Sequence, residues 1–217
     1  MNLRRVEILR REISQGLGMF LVLSWFVAFS EGIALSETIT GKVAIEGQAK
    51  ASNVVVYLKG VDGNFSAPMK RPEMNHLNLA FSPLVLPVLK GITVNFPNSD
   101  PVFHSAFSTS PSNPFELGVY GEGSEKWQKF VNAGEVEIFC HIHPYMRAFI
   151  LVLENPYFTI TDGTGRYTLS GVPKGTYVIK AWQGFLRATG TKAVIIDGEQ
   201  KVTVDLVLHP QKVAGDP

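Results

Sequence analysis

An all-β fold of packed sheets is what this sequence predicts, and three observations carry that reading. Helical periodicity is nearly absent beyond residue 36, short alternating or wholly apolar runs recur, and Gly, Pro, Asn and Asp separate them. In chain order the clearest runs are Val54 to Leu58, Ile92/Val94/Phe96, Val136/Ile138/Cys140, Ala148 to Leu153, Tyr177 to Trp182, and Val202/Val204/Leu206/Leu208. Turn signals punctuate them: "VDGN" after Gly60, "LKG" at Leu89, "NAGE" at Asn132, "TDGTG" at Thr161 and "IDGEQ" at Ile196. Residues Ser108 to Lys126 are rich in Ser, Pro, Gly and acids, which predicts a long loop.

The first 36 residues read as an export signal rather than as fold. Arg4, Arg5, Arg10 and Arg11 form a basic start, Leu17 to Phe29 an apolar centre, and "ALS" at Ala34 to Ser36 offers small residues for cleavage. A retained membrane anchor is the rival reading, although Glu31 interrupts the apolar stretch. The expected location is periplasmic or secreted, with no membrane insertion once the signal is cleaved. That segment holds four of the 20 basic and three of the 19 acidic residues, which leaves 16 of each in residues 37–217. With no net charge and no basic stripe, nucleic acid is excluded as a partner.

Cys140 is the only cysteine. In an exported chain it cannot form an internal disulfide, so it is an interchain partner, a core thiol or a metal ligand. Alternation along a strand puts Val136, Ile138 and Cys140 on one face, so the thiol points inward at a strand end. The loop that follows spaces its candidates Cys-x-x-His-x-x-Met, giving Cys140, His143 and Met146. A second imidazole must come from elsewhere, and His104 in "NFPNSDPVFHSAFS" lies just beyond the Ile92–Phe96 run. One thiolate, two imidazoles and a weak thioether form the donor set of copper electron-transfer sites, whereas structural zinc sites carry no thioether. His141 alternates to the opposite side from Cys140 and is expected in solvent; His76 and His209 are expected at the surface.

At these residues the chain resembles the cupredoxin (plastocyanin/azurin-like) family. "FSPLVLPVLKGITVNFPNSDPVFHSAFS" followed by "VEIFCHIHPYM" is similar to that family's two diagnostic blocks, and the short ligand loop is most similar to the amicyanin type. The resemblance covers roughly Glu73 to Leu153. It implies a Greek-key sandwich holding one mononuclear type 1 copper site on His104, Cys140, His143 and Met146. Electrons would pass through the His143 imidazole within a patch formed by Pro144, Tyr145 and Phe103. It further implies a redox protein partner, such as a c-type cytochrome or a membrane oxidoreductase. One residue departs from the family: Ser105 stands where Asn usually follows the upstream His and ties the two ligand loops together. The backbone N–H of Ser105 is still expected to donate to the sulfur.

The stretch "FTITDGTGRYTLSGVPKGTYVIKAWQGF" resembles carboxypeptidase regulatory-like (transthyretin-type) β-sandwich modules. The usual opening of such a module appears far upstream, at Gly41 to Gly60 in "GKVAIEGQAKASNVVVYLKG". Two arrangements are open. In one, residues 37–60 and 154–213 form a split sandwich that carries a cupredoxin domain, 61–153, in a loop; insertion is tolerated where a host's chain ends lie close together. In the other, residues 41–60 supply early cupredoxin strands.

An enzyme is not expected. Five histidines with one His-x-His cannot build a multicopper cluster, no nucleophile elbow is present, and Gly163–Gly165 sits in a hairpin signal rather than a phosphate loop. Three functions therefore stand side by side: single-electron carriage, copper carriage or sensing without electron traffic, and a non-redox extracellular binding module.

Overall fold

The computed structural model describes residues 37–66, 71–198 and 201–211, and every regular element among them is a β-strand. The expected export segment lies outside the described residues. Among those described, no helix is long and apolar enough to cross a membrane.

The chain opens with β1 (Glu37–Ile45) and β2 (Val55–Lys59). Nine strands follow: β3 (Asn75–Leu77), β4 (Ala80–Ser82), β5 (Val85–Leu89), β6 (Thr93–Pro97), β7 (His104–Ser108), β8 (Phe115–Tyr120), β9 (Glu125–Lys129), β10 (Gly134–Phe139) and β11 (Arg147–Leu153). The last six are β12 (Phe158–Ile160), β13 (Arg166–Val172), β14 (Gly175–Gln183), β15 (Ala188–Ile196), β16 (Lys201–Thr203) and β17 (Leu206–Leu208).

Strand pairing sorts these elements without regard to chain order. β1 pairs antiparallel with β13 and parallel with β16 and β17. β2 lies between β12 and β14, with β15 beyond, all antiparallel. Both early strands therefore belong with the last six, in an outer sandwich. β3 to β11 pair among themselves, as a five-stranded sheet β5-β11-β10-β7-β8 and the ladders β6–β9 and β3–β4. Single bridges, Glu73 to Asn95 and His76 to Asn98, dock the β3 segment along β6. These strands form an inner sandwich, nested in sequence between β2 and β12.

Each sandwich buries its own core. Ile39, Val43, Val56, Leu58, Ile179 and Leu208 lie in the outer one, and Val94, Phe96, Val136, Ile138 and Ile150 in the inner one. A third cluster occupies the seam: Val55 and Trp182 from the outer sandwich meet Val85, Phe149, Leu151 and Leu153 from the inner. This explains the unbroken apolar run in β11. Ala148, Ile150 and Val152 face the inner core, while Phe149, Leu151 and Leu153 face the seam, so both sides of the strand are buried. Burying a large apolar side chain contributes about 1.5–3 kcal/mol, so the seam is a substantial apolar interface.

Two expectations fail locally. The stretch 108–126 is no single loop: it holds β8 and leads into β9. Both are edge strands, β8 interrupted by a register shift opposite Ser105/Phe107 and by Gly118 at φ +69°, β9 reading Glu-Lys-Trp-Gln-Lys. Polar, irregular edges guard against unwanted pairing, and they carry no clean alternation. The run Val202 to Leu208 is not one strand but β16 and β17. Between them the Val204 carbonyl accepts the Tyr167 hydroxyl at 2.6 Å. That carbonyl lies 1.8 Å from where a Cβ on Gly41 would sit, so only glycine fits at that point of β1.

Candidate metal centre

β10 carries Cys140 to the end of the inner core. Val136 and Ile138 share its inward face, and the thiol is buried with them. The chain then turns sharply: the Met146 N–H donates to the His143 carbonyl at 2.9 Å, and β11 begins one residue later. Met146 is buried in the same cluster as Cys140. His104 opens β7, which pairs with β10, and its side chain is wholly buried.

Three donor atoms converge. Cys140 Sγ lies 4.0 Å from His104 Nδ1 and 3.9 Å from His143 Nδ1, and the two nitrogens are 3.1 Å apart. Metal–nitrogen bonds of about 2.0–2.1 Å and metal–sulfur bonds of about 2.3 Å would let a single ion reach all three. The contacts of the His104 ring favour the same reading. Its Nε2 sits 2.9 Å from Asp100 Oδ2, and its Nδ1 faces the other two donors. Of the four residues expected as ligands, His104, Cys140 and His143 converge, and Met146 is buried in the same cluster as Cys140.

Ser105 holds the two ligand segments together. Its backbone N–H donates to Cys140 Sγ at 3.4 Å, and its hydroxyl lies 3.8 Å from the same sulfur. The hydroxyl also accepts the His141 N–H at 2.9 Å, which pins the residue after the cysteine to β7. This serine cross-links the segment that carries His104 to the one that carries Cys140.

His76 corrects the expectation of a surface residue: it is fully buried. Its ring stacks on His104 with centroids 5.0 Å apart, Nδ1 lies 3.0 Å from the Pro97 carbonyl, and Nε2 lies 3.3 Å from the Ser105 carbonyl. A neutral ring has one N–H and can serve only one of those carbonyls. Burial pushes this imidazole below its ordinary range, although both carbonyls pull the other way. Tyr120 closes the pocket, its hydroxyl donating to the Phe96 carbonyl at 3.0 Å; burial and the nearby Cys140 raise its phenol well above the ordinary value. Alternation sets Met74 and His76 on the face opposite Leu77, and it is the Met74/His76 face that is buried while Leu77 is exposed.

Asp100 is the other residue that sequence reasoning missed. Its carboxylate accepts the N–H groups of Asn78 (2.6 Å) and Leu79 (2.8 Å), and its own N–H donates to Asn98 Oδ1 at 3.0 Å. Burial pulls its carboxyl up, but the Leu79 and Asn78 donors and the His104 ring outweigh that and hold it below the usual carboxylate range. Asn78 and Leu79 form the β3–β4 turn with φ of +56° and +57°, a conformation costing a non-glycine residue roughly 1–2 kcal/mol. Asn98 amide groups donate in turn to the Val102 and Tyr120 carbonyls, fixing the loop that leads to His104.

The remaining histidines lie outside the cluster. His141 is exposed, stacks on Phe107 at 3.8 Å and bonds Glu116, while exposed His209 pairs with Glu46. His143 is half-buried, and Ile142, Pro144 and Tyr145 of its loop are exposed, Tyr145 at 67%. Phe103 is 64% exposed, its ring lying over Gly121.

No protein-family model matches the chain, and no curated protein does. Among solved structures, a copper-containing nitrite reductase from Thermus scotoductus SA-01 is similar at 27% identity and TM-score 0.39, over 44% of this chain and 25% of that one. The chain therefore spans about a quarter of that enzyme's length. A purple cupredoxin from Nitrosopumilus maritimus matches at 21% identity and TM-score 0.35, over 38% of this chain and 99% of its own. Amicyanin from Paracoccus versutus matches at 18% identity and TM-score 0.35, over 40% of this chain and 84% of that one.

Proposed function

We propose that this protein is an exported type 1 copper protein that passes single electrons between redox partners. The observation that carries the reading is the convergence of His104 Nδ1, His143 Nδ1 and Cys140 Sγ at 3.1–4.0 Å, with the Met146 thioether in the same core. Two imidazoles, one thiolate and an axial thioether are the donor set that suits copper in both oxidation states. Bound there, a copper ion supplies a one-electron couple.

The protein's own residues do the rest. Strand ends and the Ser105 cross-link hold the donors in one geometry, so little need rearrange when charge changes. The Ser105 N–H, aimed at the sulfur, withdraws electron density from the thiolate. The half-buried His143 ring joins the buried cluster to a surface where Ile142, Pro144 and Tyr145 stand exposed, a weakly polar face suited to brief encounters with a redox protein. A c-type cytochrome or a membrane oxidoreductase fits that description.

In the same reading, residues 61–153 form an inserted cupredoxin domain, and residues 37–60 with 154–213 form its transthyretin-like host. The pairing of β2 with β12 and β14, rather than with any strand between, supports this arrangement. Purifying the exported form with copper and recording one visible and one electron paramagnetic resonance spectrum tests the function. An intense thiolate-to-copper band with a narrow hyperfine splitting is expected. A copper-loaded protein without that band refutes the type 1 assignment.

A further inference from the structure

Asp100 lies four residues before His104 and has no place in the ligand set, yet it is nearly as buried as the ligand it touches. The side chains of His104 and Asp100 are 0% and 6% exposed, and Nε2 and Oδ2 are 2.9 Å apart. Such depth is unusual for a carboxylate unless its oxygens are engaged. Here they are: one accepts the Asn78 N–H, the other the Leu79 N–H and the His104 ring.

We propose that Asp100 is a positioning residue for the copper centre, fixing His104 in the tautomer that frees Nδ1 and biasing the site toward the cupric state. The inference rests on the copper reading above. The physical argument has two parts. A neutral imidazole carries one proton, and whichever nitrogen faces a fixed acceptor keeps it. An acceptor with a full negative charge, buried where screening is weak, also makes the ring a stronger donor and favours the more highly charged ion. The backbone bonds from the β3–β4 turn keep that carboxylate in place and unable to swing away.

A purely structural role, pinning the turn, is the competing account, and the two separate experimentally. Copper uptake and the visible band of the wild-type protein come first, because their absence defeats the copper reading itself and not the role of Asp100. Asp100→Asn retains the shape and removes the charge. Its Cu(II) affinity, measured by competition with a chelator, is expected to fall about 10–100-fold. Cu(I) affinity falls less, so the midpoint potential rises; a tenfold difference between the two corresponds to about 59 mV. Leu79→Gly eases the positive-φ turn and keeps the backbone N–H that the carboxylate accepts, and its potential is expected to match the wild type. Asp100→Asn with wild-type potential and affinities overturns the proposal, as does a Leu79→Gly potential shift equal to that of Asp100→Asn.

A measurement on the metal-free wild type needs no variant to fold. Nitrogen-15 NMR of the His104 ring is expected to show the proton on Nε2, and a proton on Nδ1 overturns the assignment.

Discussion

The two sandwiches are built from the same kind of strand but fill their interiors differently. The outer core is almost wholly aliphatic, with tyrosines at its margin. The inner sandwich holds eight of the twelve buried polar residues found among the described residues, and His76, Asp100, His104 and Ser105 crowd one end of it beside Cys140. Buried polar groups without partners are destabilising, so that end is tolerable only because nearly every group there is matched by another. The difference teaches that one sheet pair packs almost only apolar side chains, whereas the other gives up apolar packing at the end where His104, Cys140 and His143 converge.

That contrast can be broken or sharpened by substitution. The largest effect is expected from Cys140→Ser, which removes the thiolate and with it the whole intense visible absorption of the copper-loaded protein; a surviving band shows that the sulfur is not a ligand. Ile179→Ala, in the outer core, is expected to lower unfolding free energy by about 2–5 kcal/mol in chemical denaturation while leaving the spectrum and potential unchanged. A spectral change of comparable weight would erase the distinction between the two interiors. Met146→Leu is expected to keep copper and raise the potential by about 59 mV, a tenfold shift toward the cuprous form. An unaltered potential excludes the thioether as axial group. Smallest is Ser105→Ala, which forfeits the hydroxyl's bond to the His141 N–H, at about 1 kcal/mol of stability, with the sulfur's backbone donor intact. A collapse of the visible band in that variant would mean that the hydroxyl, not the backbone N–H, governs the site.

Much of this architecture is legible from alternation and turn chemistry. Val54–Leu58, Ala148–Leu153 and Tyr177–Trp182 lie within a residue or two of β2, β11 and β14, because strongly apolar strands announce themselves. β8 and β9 stay hidden, since edge strands facing water carry little hydrophobic pattern. The donor trio was nameable because ligand chemistry restricts residue type and spacing. Asp100 was not: in "NSDP" an aspartate before a proline reads as ordinary turn chemistry, and its role comes from the distant β3–β4 turn and from a ring one helical turn's worth of residues away. His76 is hidden because alternation sets it against Leu77 and Leu79, and here the leucines are the exposed side.

Nesting one set of strands inside another also governs when the molecule can be finished. The Val54 N–H bonds the Thr161 hydroxyl across 107 positions of sequence, so β2 must wait for its partners through the synthesis of the whole intervening sandwich. Such distant closures are slow compared with the hairpin-rich middle. The inner sandwich can therefore be assembled while the first two strands are still unpaired, leaving the Val55–Val56 edge of β2 open to foreign partners. Exposure of that strand edge during the interval is a direct consequence of the topology.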